Sequence, residues 1–234
     1  MRPLPLAALE GDEFYDAYWR RRLELEPEIT TTAPARATIV AEFLQPGWSV
    51  LDLGCGDGSF LVCLRERVSG LQVRGADVSD EALAVARTRD IDAVRIDLSD
   101  PASEIPGTYD VVTALEVIEH LPNAESAVLK AAAAARRYLI VSVPNLGFVE
   151  SRLRLLIGRG PITSVVHHIR EHLRQWTVRD FHEWAQALGL RIVAERPTRP
   201  VRLLALGEHV PSLFSAGMLY VIDTASNRSE SPSP

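Results

Sequence analysis

The chain has 234 residues, a formal net charge of −6 and 47% hydrophobic residues. This length and balance are typical of a single globular domain, and the acidity argues against a large nucleic-acid-binding face. No apolar run reaches the length of a membrane span, the N-terminus lacks a signal-peptide pattern, and two cysteines make a poor disulfide framework, so we expect a cytoplasmic protein that does not bind a membrane.

Two helices are predicted ahead of the first strand. Glu13–Glu26 mixes aromatic and charged residues at helical spacing, and Pro34–Leu44 carries proline in its first turn. Together they predict a helical cap over residues 1–46. The spacing in the first helix is also typical of an amphipathic helix that only packs on the core.

A buried strand then ends in a glycine-rich turn, Asp52–Leu53–Gly54–Cys55–Gly56–Asp57–Gly58, which is followed by a helix. Glycines here allow a tight turn and a close approach of the backbone to a ligand, which is typical of nucleotide binding. Asp52 and Asp57 flank the turn, and two carboxylates would repel a pyrophosphate but suit a ligand with an ammonium and a sulfonium. Asp77 ends the next strand, where an acid that binds ribose is expected.

Strand and helix patterns alternate along most of the chain, which predicts a mostly parallel sheet covered on both faces. The predicted strands are Trp48–Leu53, Leu71–Ala76, Ala93–Ile96, Tyr109–Leu115, Arg137–Val143, Leu190–Ala194 and Met218–Ile222. The predicted helices between them are Ser59–Val68, Asp80–Thr88, Asn123–Ala135, Phe148–Ile157 and Thr177–Leu188. The fold class is therefore α/β, a doubly wound Rossmann-like sheet of seven strands.

Two clusters supply candidates for acid–base chemistry. If Glu116–His120 is helical, Glu116, Glu119 and His120 share one face. The alternative is that Glu116 contacts a ligand and Glu119–His120 only close a turn. The second cluster lies in the stretch 146–176, where the strand–helix alternation stops, and contains His167, His168, Arg170 and His172. A solvated loop with chance histidines is the alternative there. Arginines crowd the same stretch, which leaves an anionic substrate open. The segment 226–234 is predicted to be a disordered tail.

Five segments, in order, resemble the motifs of class I S-adenosylmethionine-dependent methyltransferases. They are Leu51–Gly58, Gly75–Ser79, Asp97–Leu98, Tyr109–Val112 and Ala114–Leu121. The resemblance implies one methyltransferase domain over residues 1–225, with a substrate lid at 146–176 and S-adenosyl-L-methionine as cofactor. It further implies the cofactor-binding residues Tyr15, Tyr18, Asp52, Gly54, Cys55, Gly56, Asp77, Val78, Asp97, Leu98 and Glu116.

The resemblance also implies a reaction. We expect O-methylation of a small metabolite, with His120 or His172 as general base, Glu119 orienting it, and His167, His168 and Arg170 contacting the substrate. In this main interpretation, no metal ion takes part in the reaction. The chain also resembles small-RNA 3′-terminal 2′-O-methyltransferases, in which a set like Glu116, Glu119, His120 and His172 holds magnesium. A third alternative is a cofactor-binding partner protein of the methionine-biosynthesis W type, without transferase activity.

Overall fold

The computed structural model describes residues 11–25, 32–161, 172–200 and 209–226. The chain divides into two compact units, Met1–Asp97 and Leu98–Pro234. Among the described residues, no helix combines the length and the apolar character needed to cross a membrane.

The described residues of the first unit form four helices and three parallel strands. Its elements in chain order are α1 (Gly11–Leu25), α2 (Ala33–Ala41), β1 (Ser49–Leu53), α3 (Ser59–Arg67), β2 (Gln72–Asp77), α4 (Asp80–Thr88) and β3 (Asp92–Arg95). In the parallel register, Leu53 lies opposite Ala76, and Asp77 lies opposite Arg95. The ends of these strands therefore bring the glycine turn and Asp77 to the same edge.

The second unit begins with parallel strands and ends with antiparallel ones. Its elements are β4 (Tyr109–Leu115), a 3₁₀ turn (Ile118–His120), α5 (Ala124–Ala134), β5 (Ala135–Pro144), α6 (Val149–Leu156), α7 (Val178–Ala187), β6 (Arg191–Pro197), α8 (Pro211–Phe214) and β7 (Gly217–Asp223). Strands β4 and β5 are parallel, whereas β7 pairs antiparallel with both β5 and β6.

All seven predicted strands are confirmed to within a few residues, and they form a sheet in the order β3-β2-β1-β4-β5-β7-β6. The expected seven-stranded, mostly parallel Rossmann-like sheet is therefore present. The central strand β5 is apolar along consecutive residues, and Leu139, Ile140 and Val141 are fully buried. Such runs mark strands that are covered on both faces.

Predicted helices also agree with the structure. Thr177 caps α7, since its hydroxyl accepts from the Asp180 backbone N–H and the Asp180 carboxylate accepts from that of Thr177. Aromatic packing then fixes α7 on the sheet, with Phe181 stacked on Tyr220 at a centroid distance of 4.0 Å. The short helix α8 was not anticipated. Most of the predicted tail, residues 227–234, lies outside the described residues.

Candidate functional site

The glycine turn after β1 adopts a backbone that only glycine tolerates easily. Gly54, Gly56 and Gly58 have φ values of 74°, 54° and 75°, in the left-handed region. The backbone N–H groups of Gly54 and Cys55 both donate to the carbonyl of Ala76, at 2.7 and 3.0 Å. The turn is thus fixed to the end of β2, and Gly54 presents its exposed backbone at the strand end.

Asp77 lies directly against this turn. Its carboxylate accepts hydrogen bonds from the backbone N–H of Gly56 at 2.8 Å and of Ser79 at 3.0 Å. Burial raises the pKa of Asp77, and the hydrogen bonds from the backbone oppose that rise without cancelling it. The structure thus brings Asp77 together with the glycine turn, as the sequence predicted. Val78 follows it, half-buried.

Asp57 does not have the role that we expected from its position. One carboxylate oxygen accepts from the Ser59 backbone N–H at 3.1 Å, and the other accepts from Arg89 Nη1 at 2.8 Å. The Asp57 side chain is only 6% exposed. Its charge is balanced by Arg89 and by the N-terminus of α3, so it is not presented to a ligand. Nothing in the sequence indicated Arg89 as the partner of Asp57.

The other predicted cofactor residues of this unit differ in exposure. Asp52 is buried on β1, and Asp97, beyond β3, is half-buried. Burial raises the pKa of the Cys55 thiol well above its usual value, and the nearby Asp52 carboxylate adds to this, which keeps the thiol neutral. In the second unit, Leu98 is half-buried.

An aromatic residue of α1 that we did not predict lies on the glycine turn. A Cβ atom built on Gly56 would lie 2.2 Å from Cζ2 of Trp19, so Gly56 makes room for this ring. Tyr18, which we did predict, packs edge-on against Trp19 at 5.6 Å and accepts a hydrogen bond from Arg22 at 2.6 Å. Tyr15 packs edge-on against Phe14. The aromatic run in α1 was the signal, but its contacting member was not identifiable from sequence.

In the second unit, the Glu116–His120 segment is not a helix, and the prediction of one shared helical face is wrong. Glu116 has a φ of 59°, rare for a residue with a side chain, and the 3₁₀ turn begins only at Ile118. The Glu116 carboxylate accepts from Ser142 Oγ and from Arg199 Nη2, both at 3.1 Å. Glu116 is therefore directed away from the shared face that we expected.

Glu119, His120 and His172 do come together. Glu119 is 1% exposed, and its Oε1 lies 3.9 Å from Nε2 of His120. The rings of His120 and His172 meet edge to face, with their centroids 4.8 Å apart. The Arg174 backbone N–H donates to the Glu119 carbonyl at 3.1 Å, which brings the segment carrying His172 to the 3₁₀ turn.

These three residues form a candidate metal centre. One ligand atom from each lies within 4.8 Å of the others. Ligands of one ion at about 2.0–2.1 Å stand at most about 4.2 Å apart, so the group would close slightly around a metal. Two imidazoles and a carboxylate suit zinc, manganese or iron better than magnesium, which prefers oxygen ligands. Glu116 does not belong to this group.

A shallow open cavity of about 70 Å³ lies beside the cluster. His172, Arg174 and Arg199 line it, together with apolar residues that include Leu146 and Phe148. This volume is smaller than that of most small-molecule sites. The predicted substrate contacts His167, His168 and Arg170 lie outside the described residues.

A polar network fixes the wall that carries His172. The two terminal nitrogens of Arg174, Nη1 and Nη2, donate to the Glu125 carboxylate at 2.6 and 2.8 Å. Trp184 Nε1 donates to the same carboxylate at 3.0 Å. Burial alone would raise the pKa of Glu125, but the hydrogen bond from Trp184 and the charge of Arg174 leave it below its usual value. We call Glu125, Arg174 and Trp184 the latch.

Known proteins resemble this chain in sequence and in fold. A family model described as a methyltransferase domain matches residues 17–195. The ubiquinone biosynthesis O-methyltransferase of Bordetella parapertussis is 37% identical over 107 residues, which cover 42% of this chain and 44% of that protein. Its counterpart in Pseudomonas paraeruginosa is 35% identical over 118 residues, 47% of this chain and 50% of that protein.

The chain thus spans about half the length of the curated relatives it matches. Among solved structures, the magnesium protoporphyrin IX methyltransferase of Synechocystis PCC 6803 with bound SAH has a TM-score of 0.64 and 20% identity. That comparison covers 91% of this chain and 97% of the other. At this identity, the likeness concerns the fold.

Proposed function

Because the chain belongs to the methyltransferase domain family, whose cofactor is S-adenosyl-L-methionine, we propose that it methylates an oxygen atom of a small metabolite or natural-product intermediate. The names of its curated relatives support oxygen as the acceptor atom. The single observation that carries the proposal is the position of His172, which lines the cavity and contacts His120.

The glycine turn and Asp77 fit the cofactor. S-adenosyl-L-methionine, when bound, supplies an electrophilic methyl group on a positively charged sulfur. Asp52, Gly54 and Gly56 would hold its methionine end, and Asp77 would bind the ribose hydroxyls. This fit rests on the exposed backbone of Gly54 and on the buried carboxylate of Asp77 at the adjacent strand end.

Proposed roles for the remaining cofactor residues follow from the same family pattern. Asp97 and Leu98 would contact the adenine, and Tyr15 and Tyr18 would contact the cofactor from α1. Trp19 joins this proposed set because it already lies on Gly56.

The imidazole pair would remove the proton of the acceptor hydroxyl. His172 faces the cavity and is the proposed general base, with His120 and the buried Glu119 behind it. A carboxylate near the pair favours the protonated imidazole that forms when the hydroxyl loses its proton. Such a base contributes about 10²–10⁴-fold to rate.

The test compares His172→Gln with wild type, using transfer of labelled methyl from the cofactor to a panel of phenols and hydroxy acids. We expect transfer to fall about 10²–10⁴-fold while cofactor affinity stays unchanged. His182→Gln is the matched control, because His182 pairs with Glu195 at 2.9 Å on an exposed face. Equal loss in both variants, or none in either, would contradict the role of His172.

The geometry of the Glu119–His120–His172 group also supports a second candidate, metal-assisted 2′-O-methylation at an RNA 3′ terminus. A divalent ion there would lower the pKa of the attacking hydroxyl. Transfer of label to RNA ends that stops after chelation and returns with manganese or zinc would favour this candidate. Transfer to small acceptors that survives chelation would remove it.

We further propose that the protein lies in the reducing cytoplasm. We also propose that it binds neither a membrane nor a nucleic acid. The thiols of Cys55 and Cys63 are free and buried, as in proteins of a reducing compartment. Fractionation of cells that express the chain tests this proposal.

A further inference from the structure

Two guanidinium groups line the cavity beside His172, and they differ in what holds them. Arg174 donates to both Glu125 oxygens and to the carbonyl of Pro122, so three of its five N–H donors are engaged there. Arg199 donates to the Glu116 carboxylate through Nη2, and its side chain is 45% exposed. Within the described residues Arg199 thus uses one of its five donors, and it has more hydrogen-bonding capacity left for a ligand in the cavity than Arg174 has.

The backbone around Arg199 is held in place. Its carbonyl accepts from the Ala216 N–H at 3.1 Å, and the neighbouring Thr198 N–H donates to the carbonyl of Gly217 at 3.0 Å. A β-bridge between Pro200 and Ser215 continues this pairing beyond β6. A short two-stranded extension therefore presents Arg199 to the cavity.

Gly217 makes room for the guanidinium. A Cβ atom at Gly217 would lie 2.5 Å from Oγ1 of Thr198 and 3.2 Å from Nε of Arg199, so the glycine makes room for both side chains. Glu116 holds the other side of the group while it is itself fixed by Ser142. The planar group is thus oriented before any ligand arrives, which lowers the entropic cost of binding.

We propose that Arg199 binds an oxyanion group of the methyl acceptor, a carboxylate or a phosphate, so that the acceptors of this protein are small hydroxylated acids. This inference rests on the proposed function, since it assigns the acceptor to the cavity that contains His172. A guanidinium edge pairs with two oxygens of one anion, which fixes the direction of the acceptor as well as its charge. The apolar wall near Phe148 and Leu146 suits the carbon skeleton between the anion and the hydroxyl.

The experiment measures the affinity of the SAH-loaded protein for three probes by titration calorimetry. The probes are meta-hydroxybenzoate, its uncharged methyl ester and phenyl phosphate, so that the two anions are compared with each other and with a neutral analogue. Wild type is expected to bind at least one anion about tenfold or more tightly than the ester. The tighter of the two anions identifies the oxyanion as carboxylate or phosphate.

Arg199→Gln is expected to remove that preference and to leave affinity for the ester unchanged. Gly217→Ala keeps the guanidinium but displaces it, so an intermediate loss is expected. Arg179→Gln is the control, because Arg179 pairs with Glu183 on an exposed helix face and should change nothing. Circular dichroism and SAH affinity, measured on the same samples, verify that each variant is folded.

The proposal is overturned if wild type shows no preference for either anion, or if Arg199→Gln keeps the preference. Binding and methyl transfer are read separately in this design. Anion binding through Arg199 without any methyl transfer would contradict the proposed function alone. Methyl transfer with no dependence on Arg199 would contradict only this inference.

Discussion

Individual residues near the proposed sites adopt unusual backbone conformations or bury a carboxylate. Glu116 has a left-handed backbone despite its side chain, and Gly56 has one where an aromatic ring lies on it. Asp77 is a buried carboxylate that accepts from two backbone N–H groups. Backbone strain such as that of Glu116 and buried carboxylates such as that of Asp77 are concentrated at sites that bind ligands.

Gly56→Ala is predicted to weaken cofactor binding because the new methyl group would collide with Trp19. We expect a loss of about 1–2 kcal/mol in unfolding free energy from the left-handed backbone alone, and a further loss from the collision. Denaturant titration and calorimetry with SAH measure the two effects.

Gly47→Ala is the matched control, since Gly47 has a φ of 81° and nothing within 4 Å of the added atom. It should show only the cost of the backbone and leave cofactor affinity intact. If both alanine variants lose the same amount of stability and affinity, Trp19 does not occupy the turn.

The raised pKa of Asp77 predicts how the stability of the ligand-free protein depends on pH. Burial raises its folded pKa above the ordinary 3.8, so in the interval between the two values the folded state keeps a proton that the unfolded state has released. The free energy of unfolding therefore falls as pH rises through this interval. Subtracting the stability of Asp77→Asn from that of wild type, pH by pH, isolates the effect.

That difference should decrease as the solution becomes less acidic and then level off. Asp80→Asn, which removes an exposed carboxylate one turn away, is the control and should give a flatter curve. A wild-type advantage that instead grows with pH would mean that the folded pKa of Asp77 is depressed.

At the scale of elements, the latch joins three segments that are distant in the chain. Glu125 lies in α5, Trp184 in α7, and Arg174 in the segment that carries His172. Arg174 and Glu125 form a bidentate ion pair with side chains that are 32% and 38% exposed. Such a pair is stronger than one on a fully open surface. Because Arg174 lies two residues from His172 in the chain, we expect the latch to influence the position of His172.

Glu125→Gln is predicted to lower kcat about tenfold or more with little change in cofactor affinity, because small displacements of reacting groups are costly. Its effect should resemble that of Arg174→Lys, which keeps the charge but not the paired contact. Glu183→Gln, on the exposed face of α7, serves as control.

The measurement is the pH profile of kcat in each variant, since a purely structural role would not alter its shape. The pKa of Glu125 in the folded protein is lower than its ordinary value of 4.5. The latch should therefore persist at pH values above 4.5 and be lost as the pH falls through the lowered folded pKa. An unchanged kcat in Glu125→Gln would exclude the positioning role.

At the scale of the whole molecule, the methyltransferase family model matches residues 17–195, and the seven strands form one mostly parallel sheet. Folds of this kind host many activities, so the ligand has to be tested directly. The Asp52 carboxylate, buried just before the glycine turn, would oppose the pyrophosphate of a dinucleotide.

Binding of SAH, but not addition of NAD, should therefore raise the free energy of unfolding. At a concentration 100 times Kd, SAH is predicted to add about 2.7 kcal/mol to unfolding, or about 5–10 °C in Tm. NAD at the same concentration should leave Tm unchanged. Thermal unfolding followed by tryptophan fluorescence measures both, and a shift with NAD alone would refute the assignment of the cofactor.

The sequence alone determined the order of elements, the glycine turn and the position of Asp77, because these depend on periodicity and on residues close together in the chain. Tertiary structure alone decided which partners the charges have. Asp57 pairs with Arg89, and Glu116 pairs with Arg199, across 32 and 83 residues of sequence. Periodicity carries no information about such distances, so these contacts were missed. His120 and His172 were singled out separately, but only folding could bring their rings into contact.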